Sequence, residues 1–155
     1  MTLTGTTGNG TSVSLTETTD GSGYYLFEDL FPGDYTVNFD LPTGYTYTYP
    51  NEGGDDGLDS DADETTGDVT GITMVSGVPN LTIDAGLYQE ATIGDLAFFD
   101  CNKNGIQDSG ESGLPNVPVI LTGNDGAGNA VNLNTITGVD GTYSFASLRP
   151  GTYTL

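Results

Sequence analysis

Short runs along this chain place apolar and polar residues in alternation, the period-two pattern of strands that bury one face. Residues 131–137 interleave Val131, Leu133 and Ile136 with polar residues, and 141–145 read Gly-Thr-Tyr-Ser-Phe. Residues 92–99 are apolar enough for a mostly buried strand. Residues 117–122 form another, with Pro118 pointing to a sheet edge or a strand start. Leu148-Arg149-Pro150-Gly151 is a turn by composition and leads into Thr152-Tyr153-Thr154-Leu155. Earlier in the chain, 35–39, 45–49, 69–75 and 81–88 carry the same strand-like pattern. Seven or eight short strands separated by turns predict an all-β fold, an antiparallel β-sandwich. No apolar run approaches the roughly 18 residues of a membrane span.

The pattern also repeats. Sliding the chain by 118 aligns residues 1–37 with 119–155 without a gap, and 16 of the 37 pairs are identical. They include Leu3/Leu121, Gly5/Gly123, Val13/Val131, Leu15/Leu133, Tyr25/Tyr143, Phe27/Phe145, Leu30/Leu148, Pro32/Pro150 and Tyr35/Tyr153. A unit of about 118 residues follows, of which the chain holds one and about a third of the next. Residues 1–90 read as the C-terminal part of one repeat, lacking its first strand and the loop after it. Residues 91–155 read as the N-terminal part of the next, lacking its last strands. Both ends of the sequence fall inside strand-like segments. The expectation is a window on a tandem array, or a subunit whose ends are completed by neighbours through strand exchange.

Composition narrows the function. With 24 Gly and seven Pro, turns are frequent, and nine Tyr and six Phe supply a core although only 35% of residues are hydrophobic. The 22 acids against two bases give a net charge of −20. Nucleic acid is excluded as a partner, since phosphate binding needs clustered Lys and Arg. Direct membrane insertion and adhesion to anionic lipid are disfavoured too. Such a chain repels itself or recruits cations. Cys101 is the only cysteine, so no internal disulfide forms, and there is no histidine. The start of the sequence lacks the charged and apolar stretches of a signal peptide. Leu41-Pro42-Thr43-Gly44 is one residue short of a sortase-type anchor signal and reads as a turn.

The acids cluster in two places. Residues 100–111, Asp-Cys-Asn-Lys-Asn-Gly-Ile-Gln-Asp-Ser-Gly-Glu, fit the twelve-residue calcium-loop pattern D-x-[DN]-x-[DN]-G-x5-E at every defined position. Oxygens of Asp100, Asn102 and Asn104 converge, and Gly105 allows the sharp turn. The Ile106 carbonyl serves as a ligand while its side chain turns into the core. Asp108 acts directly or through water, and Glu111 closes the site with two oxygens. The flanks look like strands, so the loop sits on a β scaffold without the helix pair of a calcium sensor. The second cluster, 51–68, holds eight acids in 18 residues. There Asp59, Asp61 and Asp63 repeat the spacing of the loop's first half, and a second calcium site is expected.

Ile93-Gly94-Asp95 through Phe99-Asp100, with Asn102-Lys103-Asn104-Gly105 and Asp108-Ser109-Gly110-Glu111-Ser112-Gly113-Leu114-Pro115, resembles the start of a B-type repeat of the serine–aspartate-repeat surface proteins. Asp140-Gly141-Thr142-Tyr143-Ser144-Phe145, Leu148-Arg149-Pro150-Gly151-Thr152-Tyr153 and Asp59-Ser60-Asp61-Ala62-Asp63 extend the resemblance over nearly the whole chain. It implies a Cna-B-like (prealbumin-like) sandwich whose repeats bind calcium and act as rigid stalk modules of bacterial adhesins. By the same resemblance Asp100, Asn102, Asn104, Asp108 and Glu111 are ligands, and Asp59, Asp61 and Asp63 further ones. Many Cna-B domains carry a Lys–Asn isopeptide crosslink. The single lysine here, Lys103, lies inside the calcium loop and argues against one.

The expected role is therefore a calcium-stiffened structural module of a cell surface or secreted fibre, either a stalk, a spacer or a head-to-tail filament subunit. Its partners are neighbouring copies of the same repeat. Asn at two ligand positions lowers the site's charge, so a dissociation constant of roughly 10⁻⁴–10⁻³ M is expected. An adhesin or carbohydrate-binding module, recognising glycans or host or matrix proteins, is the rival reading. Nine tyrosines favour it, and the absence of tryptophan weighs against it. An enzyme is not expected, because the acids sit in solvated runs and not in desolvated pairs. The sequons Asn9-Gly10-Thr11 and Asn80-Leu81-Thr82 allow glycosylation.

Overall fold

Eleven β-strands and no α-helix make up the structure, as a chain rich in Thr and Gly and poor in straight-chain helix formers dictates. It is a computed structural model that describes residues 1–155 throughout, and it divides into two compact units, Met1–Tyr88 and Gln89–Leu155. All strand pairings are antiparallel, and the fold is the expected all-β sandwich.

The first unit contains β1 (Thr2–Thr7), β2 (Ser12–Thr16), β3 (Gly33–Asn38), β4 (Thr46–Tyr47), β5 (Asp68–Met74) and β6 (Leu87–Tyr88). One sheet has the order β2-β1-β3-β5, and β4 pairs with β6 in a second. Alternation decides what is buried. Leu3 lies opposite Val37, and Tyr35 opposite Ile72, so these four share the inner face. Phe39, Tyr47, Ala62 and Val69 complete the core. The Leu, Ile, Val and Phe side chains among them each contribute about 1.5–3 kcal/mol when fully buried. Buried tyrosine hydroxyls are satisfied: Tyr47 donates to the Phe39 carbonyl, and Tyr35 to the Phe31 carbonyl at 2.7 Å.

The second unit contains β7 (Ala91–Leu96), β8 (Pro118–Asp125), β9 (Ala130–Ile136), β10 (Thr142–Leu148) and β11 (Gly151–Thr154). One sheet runs β11-β8-β9, and β10 pairs with β7. Leu121, Phe145 and Leu148 form its small core, with Ile93, Val131, Tyr143 and Tyr153 packed around them. Pro118 is the first residue of β8, where its missing N–H costs no ladder bond.

Local devices recur at a spacing of 118. The β1–β2 turn is closed by Thr7 N–H to the Thr11 carbonyl (2.9 Å), and the β8–β9 turn by Asp125 N–H to the Asn129 carbonyl (3.0 Å). Tyr35 donates to the Phe31 carbonyl, and Tyr153 to the Arg149 carbonyl, both at 2.7 Å. Tyr25 and Phe27 meet edge to face at 5.8 Å, and Tyr143 and Phe145 at 6.4 Å. Asp29 and Ser147 both take positive φ, 57° and 53°.

The strands differ from expectation in three places. β7 ends at Leu96; beyond it only a Phe98–Gly113 bridge remains as the chain enters the 100–111 loop. The expected strand 45–49 shrinks to two residues. Of 81–88, only Leu87 and Tyr88 form a strand, because the backbone there bonds to the acidic stretch. Asp61 N–H donates to the Asp84 carbonyl (3.0 Å), and Gly86 N–H to the Ser60 hydroxyl (3.1 Å). Leu41-Pro42-Thr43-Gly44 is a turn, closed by Tyr45 N–H to the Pro42 carbonyl at 3.2 Å.

Candidate metal centres

In the first unit, burial alternates along residues 59–62. Ser60 and Ala62, small enough for the interior, turn inward and are buried. Asp59 and Asp61 are thereby placed on one side. Asp56, from the preceding turn, joins them: carboxylate oxygens of Asp56, Asp59 and Asp61 all lie within 4.8 Å of one another. Asp59 Oδ1 is buried and has no hydrogen-bond partner. Asp61 Oδ2 accepts from Asp84 N–H at 2.9 Å.

The electrostatics match that crowding. Burial, then the neighbouring carboxylates Asp61, Asp59 and Asp56, push the Asp84 carboxyl above the ordinary range. Burial also raises Asp61, with Asp56 and Asp59 adding to it and the Asp84 N–H opposing. The Tyr25 hydroxyl, which donates to the Ile83 carbonyl at 2.7 Å, is pushed up to about 12 by burial and then by Asp84 and Asp61. Four acids with few donors, one oxygen of them orphaned, fit a hard divalent cation such as calcium, which takes oxygen ligands from carboxylates and backbone.

Asp63 stands outside the cluster. Its Oδ1 accepts from the Thr65 and Thr66 N–H groups at 2.9 and 2.8 Å, and these bonds lower its pKa. It shapes the turn into β5. Asp56 and Asp84 take the places beside Asp59 and Asp61. Asp56 is three residues upstream in the same acidic run, whereas Asp84 lies in Thr-Ile-Asp-Ala-Gly, where no spacing announces it.

The loop 100–111 is ordered by its own hydrogen bonds. Asp100 accepts from Lys103 N–H (2.6 Å), Asn104 N–H (3.3 Å) and Gly105 N–H (2.9 Å). These bonds, Gly105's foremost, hold its pKa below the ordinary range. Asn102 Oδ1 accepts from Asn104 N–H (2.9 Å), and Asn104 Oδ1 from Ile106 N–H (2.7 Å). Both asparagine amides donate to Asp108 Oδ2 at 2.8 Å. Glu111 spans the loop, accepting from Cys101 N–H (2.8 Å) and Asp108 N–H (3.0 Å). Gly105 adopts the positive φ (76°) that the turn requires. The oxygens of Asp100, Asn102, Asn104, Asp108 and Glu111 thus belong to one folded loop, though its three carboxylates form no close cluster. Ile106 corrects one expectation. Its side chain is 63% exposed, because the loop lies on the surface with no core beneath it. Cys101 is an exposed free thiol.

No helix is long and apolar enough to cross a membrane. A family model described as the SdrD B-like domain matches residues 1–87 and 91–155. The chain is 42% identical over 147 residues to serine-aspartate repeat-containing protein F of Staphylococcus epidermidis, covering 94% of this chain and 8% of that protein. It is 40% identical over 147 residues to serine-aspartate repeat-containing protein C of Staphylococcus aureus, covering 94% of this chain and 14% of that protein. The chain thus spans only a small part of the length of these relatives. No solved structure matches it. This chain therefore belongs to the SdrD B-like domain family, the extracellular B-type repeats of serine–aspartate-repeat bacterial surface proteins.

Proposed function

We propose that this structural module of a cell-surface protein is stiffened by calcium and acts as a non-catalytic stalk, spacer or fibre segment. The observation that carries this reading is the buried, unpartnered Oδ1 of Asp59, whose carboxylate crowds those of Asp56 and Asp61 within 4.8 Å. An acidic cluster that could remain solvated has instead been drawn partly into the protein, where a cation relieves it at neutral pH. The 100–111 loop is a second calcium site, its Asp100, Asn102, Asn104, Asp108 and Glu111 oxygens exchanging N–H partners for the ion. With no lysine free of that loop to form a crosslink, metal takes over the fastening of strands to loops.

A ligand that binds only the folded state stabilises it by about 2.7 kcal/mol at a hundredfold excess over its dissociation constant. The decisive experiment is calorimetric titration of the chelated chain with calcium, alongside the triple variant Asp56→Asn, Asp59→Asn, Asp61→Asn. Two binding events in the parent and one in the variant are expected. No heat of binding in either would overturn the reading. A sugar-binding role is less well supported, because Tyr35 and Tyr47 are spent in the core.

A further inference from the structure

We propose that Thr137, which lies outside the acidic loop, is the positioning residue of the 100–111 site: its hydroxyl fixes the path by which the chain leaves that loop. This inference rests on the reading of residues 100–111 as a calcium site.

After Glu111 the chain runs Ser112-Gly113-Leu114-Pro115-Asn116-Val117 before β8 begins at Pro118. This exit segment belongs to no strand, so its place must be fixed by other means. Thr137, directly after β9, does so with every polar group it has. Its N–H donates to the Val117 carbonyl and its carbonyl accepts from Asn116 N–H, both at 3.0 Å. Its hydroxyl donates to the Leu114 carbonyl at 2.6 Å and accepts from Val117 N–H at 2.9 Å. Asn116 takes a positive φ of 60°. A non-glycine residue stays in that region only where its surroundings determine it. Thr137 is 2% exposed, so its hydroxyl is not readily replaced by water.

The anchored segment in turn frames the loop. Leu114 N–H donates to the Ala97 carbonyl at 2.7 Å, Phe99 N–H to the Ser112 carbonyl at 2.9 Å, and Phe98 bridges to Gly113. Asp100 follows Phe99 and Glu111 precedes Ser112, so these contacts set the separation of the loop's first and last acids. The fit leaves no slack at Gly113, where a Cβ would run into the Asp140 carbonyl.

An ion held by both ends of the loop depends on that separation. Groups that orient ligands without touching the metal typically change affinity by roughly 10–100-fold when removed. Without the hydroxyl, the Leu114 carbonyl and Val117 N–H lose their partner and the exit segment samples other paths. The apparent affinity then falls with the fraction of molecules whose loop is correctly framed.

The test titrates calcium into the full chain carrying Asp56→Asn, Asp59→Asn and Asp61→Asn, so that the loop alone is read. Adding Thr137→Val should weaken binding about tenfold, whereas Thr137→Ser, which keeps the hydroxyl, should weaken it less than about twofold. Val131→Ala, at the other end of β9 and packed on the core, should lower the melting temperature and leave the affinity unchanged. Filling the loop should also slow exchange of the Val117 N–H, because coupling runs both ways; this reads the anchor without any change at Thr137, should Thr137→Val fail to fold. In chelator, exchange at Lys103 and Gly105 should be faster in Thr137→Val than in Thr137→Ser, a difference that needs no ion. Full affinity in Thr137→Val, a Ser variant as weak as the Val variant, equal weakening by Val131→Ala, or a Val117 N–H indifferent to calcium overturns the inference. If the triple variant binds no calcium, the metal reading of the loop fails, and the exchange rates in chelator decide by themselves whether Thr137 holds the loop in place.

Discussion

The two acid-rich regions reach opposite solutions to the same excess of charge. In the 100–111 loop the acids are engaged by backbone N–H groups and asparagine amides, and Asp100 is held below the ordinary carboxylate range by three of the N–H groups. In the first unit, Asp56, Asp59 and Asp61 face one another, one oxygen is orphaned, and burial raises Asp61 and Asp84. A loop that satisfies itself is formed before an ion arrives. A cluster that repels itself stays costly while its carboxylates are charged and close together. Matching a sequence motif and crowding carboxylates together are therefore different properties, and here they part company.

Chelation tests that difference most severely. Removing calcium should lower the melting temperature of the first unit by roughly 10–20 °C when the parent is near hundredfold saturation. Amide exchange should accelerate at Asp61, Asp84 and Gly86, while the N–H groups of Lys103 and Gly105 stay protected. Equal loosening of both regions would erase the distinction. The single variant Asp59→Asn is next in size. It should stabilise the chelated protein by about 1 kcal/mol through relief of like-charge repulsion and abolish most of the calcium increment. Thermal melts with and without calcium read both effects; a variant that still gains fully from calcium breaks the argument.

Much of this was legible in the residues. The alternation around Tyr35 and Val37, the recurrence at 118 and the twelve-residue loop are local patterns, and local patterns survive in a linear reading. The cluster was half legible. Asp59 and Asp61 share a side because burial alternates along 59–62, whereas Asp63 is captured by the N–H groups of Thr65 and Thr66 in the turn that follows. Asp84 arrives through a pairing across 23 residues, in which Asp61 N–H donates to the Asp84 carbonyl and Asp84 N–H donates to Asp61 Oδ2. The inward turn assigned to Ile106 assumed a core beneath the loop, whereas the loop is on the surface. The strand expected over 81–88 was displaced by the same non-local pairing that builds the cluster.

Opposite signs of pH dependence sharpen the comparison further. In chelator, Asp61 and Asp84 favour the fold when protonated. Their contribution is complete below the ordinary carboxylate value of about 3.9 and is lost as pH rises through their raised folded values. Asp100 has the other sign: its contribution is present above about 3.9 and lost as pH falls through its depressed value. On acidification of the chelated chain, amides at 59–61 should therefore gain protection relative to those at 103–105, and calcium at neutral pH should mimic that gain. Carboxyl chemical shifts followed by NMR assign each transition.

Tyr25 offers the smallest and most local reading of the frustrated cluster. Its hydroxyl is held neutral by burial first and by Asp84 and Asp61 second, which places its titration at about 12. A raised tyrosine stabilises the fold fully below the unfolded value of about 10, and that contribution disappears as pH rises through about 12. Calcium at the cluster neutralises Asp84 and Asp61 but leaves burial unchanged. Ultraviolet titration should therefore show Tyr25 shifting down with calcium while remaining above 10. Tyr25→Phe removes the hydrogen bond to Ile83, should cost about 0.5–1.5 kcal/mol at neutral pH, and should flatten the alkaline loss. If the Tyr25 titration ignores calcium altogether, no cation sits beside Asp61 and Asp84, and the repulsion in the first unit must be relieved by something else.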